Sequence, residues 1–299
     1  MNKFKLFFSV LCFCSMYFNM LNAQSRLGLF IGGGTNWYYG DMNDRLLTHP
    51  KLFRYYFNGG LIYTINPYFD AELGFLAGKI AGADSLAIQS FNLKRNLSFV
   101  SQIREISARV NYHPLGYGGR NKPRRFSPYL FAGIGYFHHN PKAKLNGELV
   151  ELQPLGTEGQ FINGDGNPKP YKLYQISLPF GVGIETQLSR SFAIRLEVAN
   201  HFTFFDHLDD LSSDYADSTK LAATPNGPLA VELASNLATG YPKEGFGRGD
   251  PKDNDSFTHL GISIIWRPVF HGKGSGGNKN SNGRSGGKRK KKANCPAYG

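Results

Sequence analysis

The sequence predicts an eight-stranded antiparallel transmembrane β-barrel. Three observations carry this: long stretches in which apolar residues recur every second position, eight such stretches, and connections that alternate between short and long. Helix-period patterns are hard to find, whereas Gly reaches 36 of 299 residues and aromatics 14%.

The strands are expected at residues 26–38, 54–65, 68–80, 96–112, 127–138, 173–187, 191–205 and 256–268. In the third, Phe69, Ala71, Leu73, Phe75 and Ala77 oppose Asp70, Glu72, Gly74 and Leu76. In the sixth, Ile176, Leu178, Phe180, Val182 and Ile184 oppose Ser177, Pro179, Gly181, Gly183 and Glu185. The seventh sets Phe192, Ile194, Leu196, Val198, Phe202 and Phe204 against Ala193, Arg195, Glu197, Ala199 and His201. The last sets Leu260, Ile262, Ile264 and Trp266 against Gly261, Ser263, Ile265 and Arg267. These runs exceed the usual 5–6 residues of a strand in a soluble protein.

Connections at Asn66-Pro67 and Leu188-Ser189-Arg190 are tight turns, and long loops fall near 39–53, 81–95, 139–172 and 206–255. The stretch 113–127 (HPLGYGGRNKPRRFS) breaks the short/long rule. A soluble barrel would alternate too, so polarity must be assigned to a side. The minor face carries Asp70, Glu72, Glu105, Arg109, Glu185, Arg195 and Glu197 among Gly and Ala. Opposite charges mixed with small residues suit a narrow lumen, where they form a charge network. The other face is Phe, Leu, Ile and Val, closing on Tyr112 and Trp266 at the height of an interfacial girdle. Arg104 shares the lipid parity with Ile106 and Ala108, which calls for snorkelling or a bulge.

The ends give the compartment. Residues 1–23 read as a signal peptide, with Lys3 and Lys5 before an apolar stretch and Leu21-Asn22-Ala23 before a cut ahead of Gln24. The barrel then occupies 24–268, and 269–299 is a disordered basic tail. Of the formal +12, the signal holds two charges and the tail eight, leaving +2 for the barrel. In an exported chain such a tail is a local device for a partner, not a nucleic-acid grip. Cys295 is the lone Cys after the signal, a candidate for an intermolecular disulfide.

An eight-stranded barrel is filled by its own side chains, so it anchors rather than conducts. An even strand number puts both termini on one side, the periplasm in bacterial outer membranes. There Lys288, Arg289, Lys290, Lys291 and Lys292 join Arg120, Lys122, Arg124 and Arg125 of the exceptional turn as a partner-binding set. An acidic protein patch, peptidoglycan carboxylates and inner-leaflet phosphates are the anions they could meet. Loop 206–255 is net −6 and is expected to be solvated, with only a weak calcium signal. His138 and His139 point to opposite faces and are expected at a wet rim. His201, near Asp206 and His207, could serve a lipid-modifying enzyme, but no motif supplies a nucleophile. No enzyme activity, cofactor or metal site is expected.

Several stretches together resemble the PorG-type outer-membrane barrels associated with type IX secretion and gliding in Bacteroidetes. They are WYYGDMN, SPYLFAGIGYFHHNPKA, LQPLGTEGQ, FFDHLDDLSSDYAD and RGDPKDNDSFTHLGISI, within residues 37–264; LQPLGTEGQ and HLDDLSSDY are the specific ones. The resemblance implies a non-enzymatic subunit of that secretion machinery that associates with a periplasmic lipoprotein ring and is not the translocation pore. A general structural or adhesin-like small barrel is the alternative.

Overall fold

A computed structural model describes residues 26–43, 48–116, 126–164 and 167–268, and the backbone alone of Gly118–Gly119 and Lys122–Pro123. The signal peptide, the basic tail with Cys295, and Arg120, Arg124 and Arg125 lie outside the described residues.

Twelve strands are described, in chain order β1 (Leu27–Tyr39), β2 (Arg54–Thr64), β3 (Phe69–Ala83), β4 (Ser98–Tyr112), β5 (Gly118–Gly119), β6 (Lys122–Pro123), β7 (Phe126–His138), β8 (Pro141–Leu145), β9 (Glu148–Glu151), β10 (Tyr174–Gln187), β11 (Phe192–Thr203) and β12 (Ser256–Trp266). Eight form the barrel in the order β3-β2-β1-β12-β11-β10-β7-β4, closed by pairing of β3 with β4. All pairs are antiparallel. Closure leaves no sheet edge, so every ladder group has a partner without water, as a membrane requires.

The tight turns follow from their residues. Asn66 Oδ1 accepts the Tyr68 and Phe69 amides at 2.8 and 3.0 Å, and Ser189 Oγ accepts those of Ser191 and Phe192 at 3.3 and 3.1 Å. The exceptional turn contains the two-residue hairpin β5–β6, in which Gly119 pairs with Lys122. Long loops leave the other end. They carry the hairpin β8–β9 and three helices, α1 (Ser90–Arg95), α2 (Ser218–Ala222) and α3 (Gly227–Ala234).

Burial is inverted relative to a water-soluble fold. Ile31 is 59% exposed and Ile134 56%, whereas Arg195 is 1% exposed and Glu105 1%. Tyr63, Tyr68, Phe69, Tyr112 and Trp266 lie exposed at the short-turn end, and Tyr39, Tyr55, Tyr136, Tyr174 and Phe204 at the long-loop end. From Phe126 to Tyr136 the chain advances ten residues. At about 3.3 Å each and a tilt of ~40°, that is roughly 25 Å, the height of an outer-membrane apolar band. The greasy exterior and the two aromatic belts make this a transmembrane barrel. Register between β3 and β4 runs unbroken from Phe69↔Tyr112 to Ala83↔Ser98, so there is no bulge at Arg104, whose side chain is exposed on the lipid side.

Inside, small residues make room. Gly261 faces the lumen, and a Cβ there would stand 1.7 Å from Tyr56 Oη. Gly261→Val is therefore expected to overpack the lumen by about 1–3 kcal/mol or more. The barrel's characteristic fast migration on cold SDS gels should be lost at lower temperature than in wild type. Gly247→Ala, whose nearest neighbour is 3.9 Å away, should leave that temperature unchanged.

Candidate functional site: a plugged lumen under a folded cap

Period-two alternation places Glu72, Glu105, Arg109, Glu185, Arg195 and Glu197 inward from four different strands, and the narrow barrel brings them together. Two contacts are cross-strand neighbours by register: Glu72 with Arg109 at 2.6 Å, and Glu185 with Arg195 at 3.3 Å. Two more cross the lumen: Arg195 to Glu72 at 2.5 Å, and Arg109 to Glu197 at 2.9 Å. Arg267, beyond the end of β12, adds 2.6 Å to Glu185. Arg109 lies 4.3 Å from the Phe131 ring centroid and Arg195 4.8 Å from that of Tyr129. The Tyr129 hydroxyl donates to Glu197 at 2.6 Å.

Five lumen acids face three guanidinium groups. Asp70 and Glu105 each lie 3.0 Å from an imidazole, that of His113 and that of His201. Sequence reasoning did not assign His113 or His259 to this network, because a lone His in an alternating strand carries no spacing signal. His201 Nε2 and His259 Nδ1 are 3.0 Å apart, and His259 Nε2 is 3.2 Å from Glu197. Ser177 donates to Glu105 at 2.8 Å, not to His201, so the imidazole is not placed to take the hydroxyl proton. The arrangement neutralises charge and fills space.

Above it, inward side chains turn apolar. Tyr38, Ile80, Phe99, Ile103, Phe137 and Phe257 form one core with Met42, Leu152, Leu155, Leu208, Leu211, Leu221 and Leu233 of the long loops. Loop 206–255 is thus folded, not merely solvated as expected: Asp209, Asp210 and Asp255 are fully buried, and Arg248 nearly so. Apolar residues at irregular spacing drive that collapse, and the charges go in paired. Arg248 reaches Glu158 at 2.9 Å, Asp210 Oδ2 at 3.4 Å and the carbonyls of Asp210 and Ala234. Glu158 also accepts from the Ser212 and Ser213 amides and the Ser213 hydroxyl at 3.0, 3.2 and 2.7 Å. Asp210 accepts from Thr157 at 2.5 Å and Tyr171 at 2.7 Å. Arg95 grips Asp84 through two bonds of 2.7 Å and donates to the carbonyls of Arg248 and Asp41. His139 is likewise buried, not at a wet rim, stacked on Tyr171 and tilted against Phe205. Burial pushes its pKa down to about 4.

WYYGDMN, LQPLGTEGQ, HLDDLSSDY and the RGD of 248–250 therefore meet in one cap. Among the described residues no group of three or more His, Cys, Asp or Glu is arranged to hold a metal ion. Tyr38 Oη instead lies 2.7 Å from both Asp209 Oδ2 and Asp255 Oδ1. One hydroxyl hydrogen serves only one of them, so the other carboxyl must carry a proton. Burial, then the neighbouring Asp41 charge, raises Asp209 to about 8; burial raises Asp206 to about 9 and Asp41 to about 6, and Asp255 also rises.

Two expectations follow from the site. Arg195→Ala strands Glu72 and Glu185 without one partner each and should cost about 3–5 kcal/mol, read from urea unfolding in detergent micelles. The cap acids have folded values above their unfolded ones, so their stabilisation is full at acid pH and disappears as pH rises through 8 to 9. Amide exchange in 206–255 should accelerate by pH 10 while the barrel strands stay protected. Asp255→Asn, which donates to Tyr38 and still accepts from the Leu208 amide, should blunt that acceleration. Equal protection at pH 7 and pH 10 would refute the buried proton.

Known proteins give a fold-level likeness. Neisserial surface protein A shares 9% identity, covering 81% of this chain and 96% of its own, with a TM-score of 0.40. Ail, the attachment invasion locus protein of Yersinia pestis, solved with the heparin analogue sucrose octasulfate, shares 10% over 81% and 98%, with a TM-score of 0.38. The outer membrane protein OprG of Pseudomonas aeruginosa shares 10% over 82% and 98%, with a TM-score of 0.35. No functionally curated protein matches the sequence. One family model does, over residues 4–224, and the chain belongs to that family, described as a domain of unknown function (DUF6089).

Proposed function

We propose that this protein is a non-conducting outer-membrane subunit of the type IX secretion and gliding machinery, which clamps a periplasmic lipoprotein ring to the membrane. One observation carries the first half: the lumen is crossed by the ion pairs of Arg109 and Arg195 and closed above by an apolar core. A barrel so filled offers no route for a polypeptide. Support for the second half is the resemblance of its cap-forming stretches to the PorG-type barrels, together with the basic residues at the end that bears both termini. In this reading the termini are periplasmic. Arg120, Lys122, Arg124 and Arg125 belong to the connection between β4 and β7, and Lys288, Arg289, Lys290, Lys291 and Lys292 follow the barrel on a Gly/Ser-rich stretch of sequence. About 15 such residues average ~20–25 Å end to end. Cys295 is carried to the same partner and forms a disulfide with it.

A second reading, an adhesin-like barrel, is favoured by the folded cap, whose well-ordered outward surface suits a binding face. The experiment separates the two. Full-length tagged protein, solubilised from native membranes, should co-purify periplasmic lipoproteins. Removing residues 272–299 should weaken that capture, increasingly as salt rises, and Cys295→Ser should abolish a reductant-sensitive heavier species. Gene deletion should stop cargo export with the envelope intact. Unchanged export after deletion would overturn the secretion reading and leave the adhesin-like one.

A further inference from the structure

The lipid-facing side of the barrel carries two cations without an ion pair, in a patch where the nearby carboxylate, Glu151, acts on His138 and is bonded to Lys142. Arg104 on β4 pairs in register with His138 on β7, and His138 with Tyr174 on β10. Lys79 on β3 pairs with Gln102, which makes it the diagonal neighbour of Arg104 on the same outer face. Both cations are exposed, and among the described residues neither forms an ion pair. Nearby Lys142, by contrast, is held by Glu151 at 2.7 Å. Two cations side by side without an ion pair of their own repel, and an anion between them relieves that repulsion.

Their height fixes what surrounds them. Tyr136, ten residues above Phe126, belongs to the aromatic belt at the long-loop end, and His138 and Arg104 lie one step beyond it. That is headgroup level, where a Lys or Arg costs little and meets lipid phosphates. A second observation points to a ligand with a tail. Next to His138 runs an open groove of about 780 Å³, lined by the apolar and aromatic side chains of Tyr136, Tyr171, Leu173, Tyr174 and Ile176 together with Gln153, Lys172 and Gln175. The Tyr136 and Tyr174 rings stack at 5.8 Å, and the His138 imidazole lies 4.8 Å from Tyr174, so groove and cations share a border.

We infer that this patch is a lipid site: Lys79 and Arg104, beside His138, hold the phosphate of an outer-leaflet phosphorylated glycolipid, and the adjoining groove takes one of its acyl chains. Charge-assisted bonds from the guanidinium and ammonium groups recognise the phosphate, and the aromatic walls recognise the hydrocarbon. The inference takes from the proposed function only the placement of the long loops outside the cell. That placement is tested on its own by labelling exposed Leu149→Cys in a Cys295→Ser background with a membrane-impermeant maleimide on intact cells.

Binding is read on the purified full chain in detergent micelles by native mass spectrometry. The probes are bis-phosphorylated lipid A, the same lipid stripped of phosphate, phosphatidylglycerol and inorganic phosphate. Wild type should retain bis-phosphorylated lipid A, and a Lys79→Ala/Arg104→Ala variant should bind it about thirtyfold more weakly, from roughly a fivefold loss per cation. Arg104→Lys, which keeps the charge, should stay within a fewfold of wild type. Heat-dependent gel migration confirms that each variant is folded. Equal retention by the double variant would overturn the site, as would equal binding of phosphate-free lipid A. Inorganic phosphate that competes at equal concentration would make it a free-anion site instead. Phosphatidylglycerol bound as tightly as lipid A would overturn the glycolipid assignment. Loss of the secretion phenotype in no way alters these readouts, so the two proposals fail separately.

Discussion

Charge neutrality inside a space too narrow for water governs this molecule. A barrel of eight strands encloses room for its own side chains and little else. Burying an ion without a partner costs several kcal/mol. Glu72, Glu185 and Glu197 are therefore arranged around Arg109, Arg195 and Arg267, and Asp70 and Glu105 stand beside imidazoles. The mechanical result matters as much as the electrostatic one. Ladder bonds join only neighbouring strands, but Arg195–Glu72 and Arg109–Glu197 tie walls across the lumen. The barrel is braced like a filled tube, which suits an anchor and opposes a pore.

The cap continues the same logic in a different chemistry. Four loops that would be loose in water share one apolar core at the barrel mouth. Their charged residues are then enclosed with it, and two arginines organise them. Arg248 gathers Glu158 and Asp210 from separate loops, and Arg95 holds Asp84 while donating to the backbone that carries Arg248 and Asp41. Where no guanidinium reaches, a proton does the neutralising, as between Tyr38, Asp209 and Asp255. The plug below and the cap above thus close the same passage twice.

Much of the barrel was legible because its signal is local. Strand limits read from alternation fall within a few residues of those observed, and the parity that sends Ile194 out sends Arg195 in. Charged residues on that inner parity were readable as a group, although the crossing pairs depend on which strands face each other. The cap was not legible. Leu208, Leu211, Leu221 and Leu233 are apolar residues scattered through a polar, acidic segment, with no strand period and only short helices. What buries them is Leu152, Leu155 and Phe137, more than fifty residues away in sequence. His139 was misplaced for the same reason, since Tyr171 and Phe205 arrive over it from distant loops.

That failure corrects the electrostatic picture of the two ends. The formal −6 of residues 206–255 counts Asp206, Asp209, Asp210 and Asp255, all buried, together with buried Arg248. Six acids and three lysines remain toward solvent, a surface charge of −3 rather than −6. Enclosed charges are paired or protonated and project little field, so the cap attracts and repels far less than its composition suggests. In sequence, by contrast, neither residues 120–125 nor residues 269–299 contain an acid to offset their cations. The excess positive charge of the chain is therefore carried by these basic stretches of sequence and is not balanced by an exposed acidic cap.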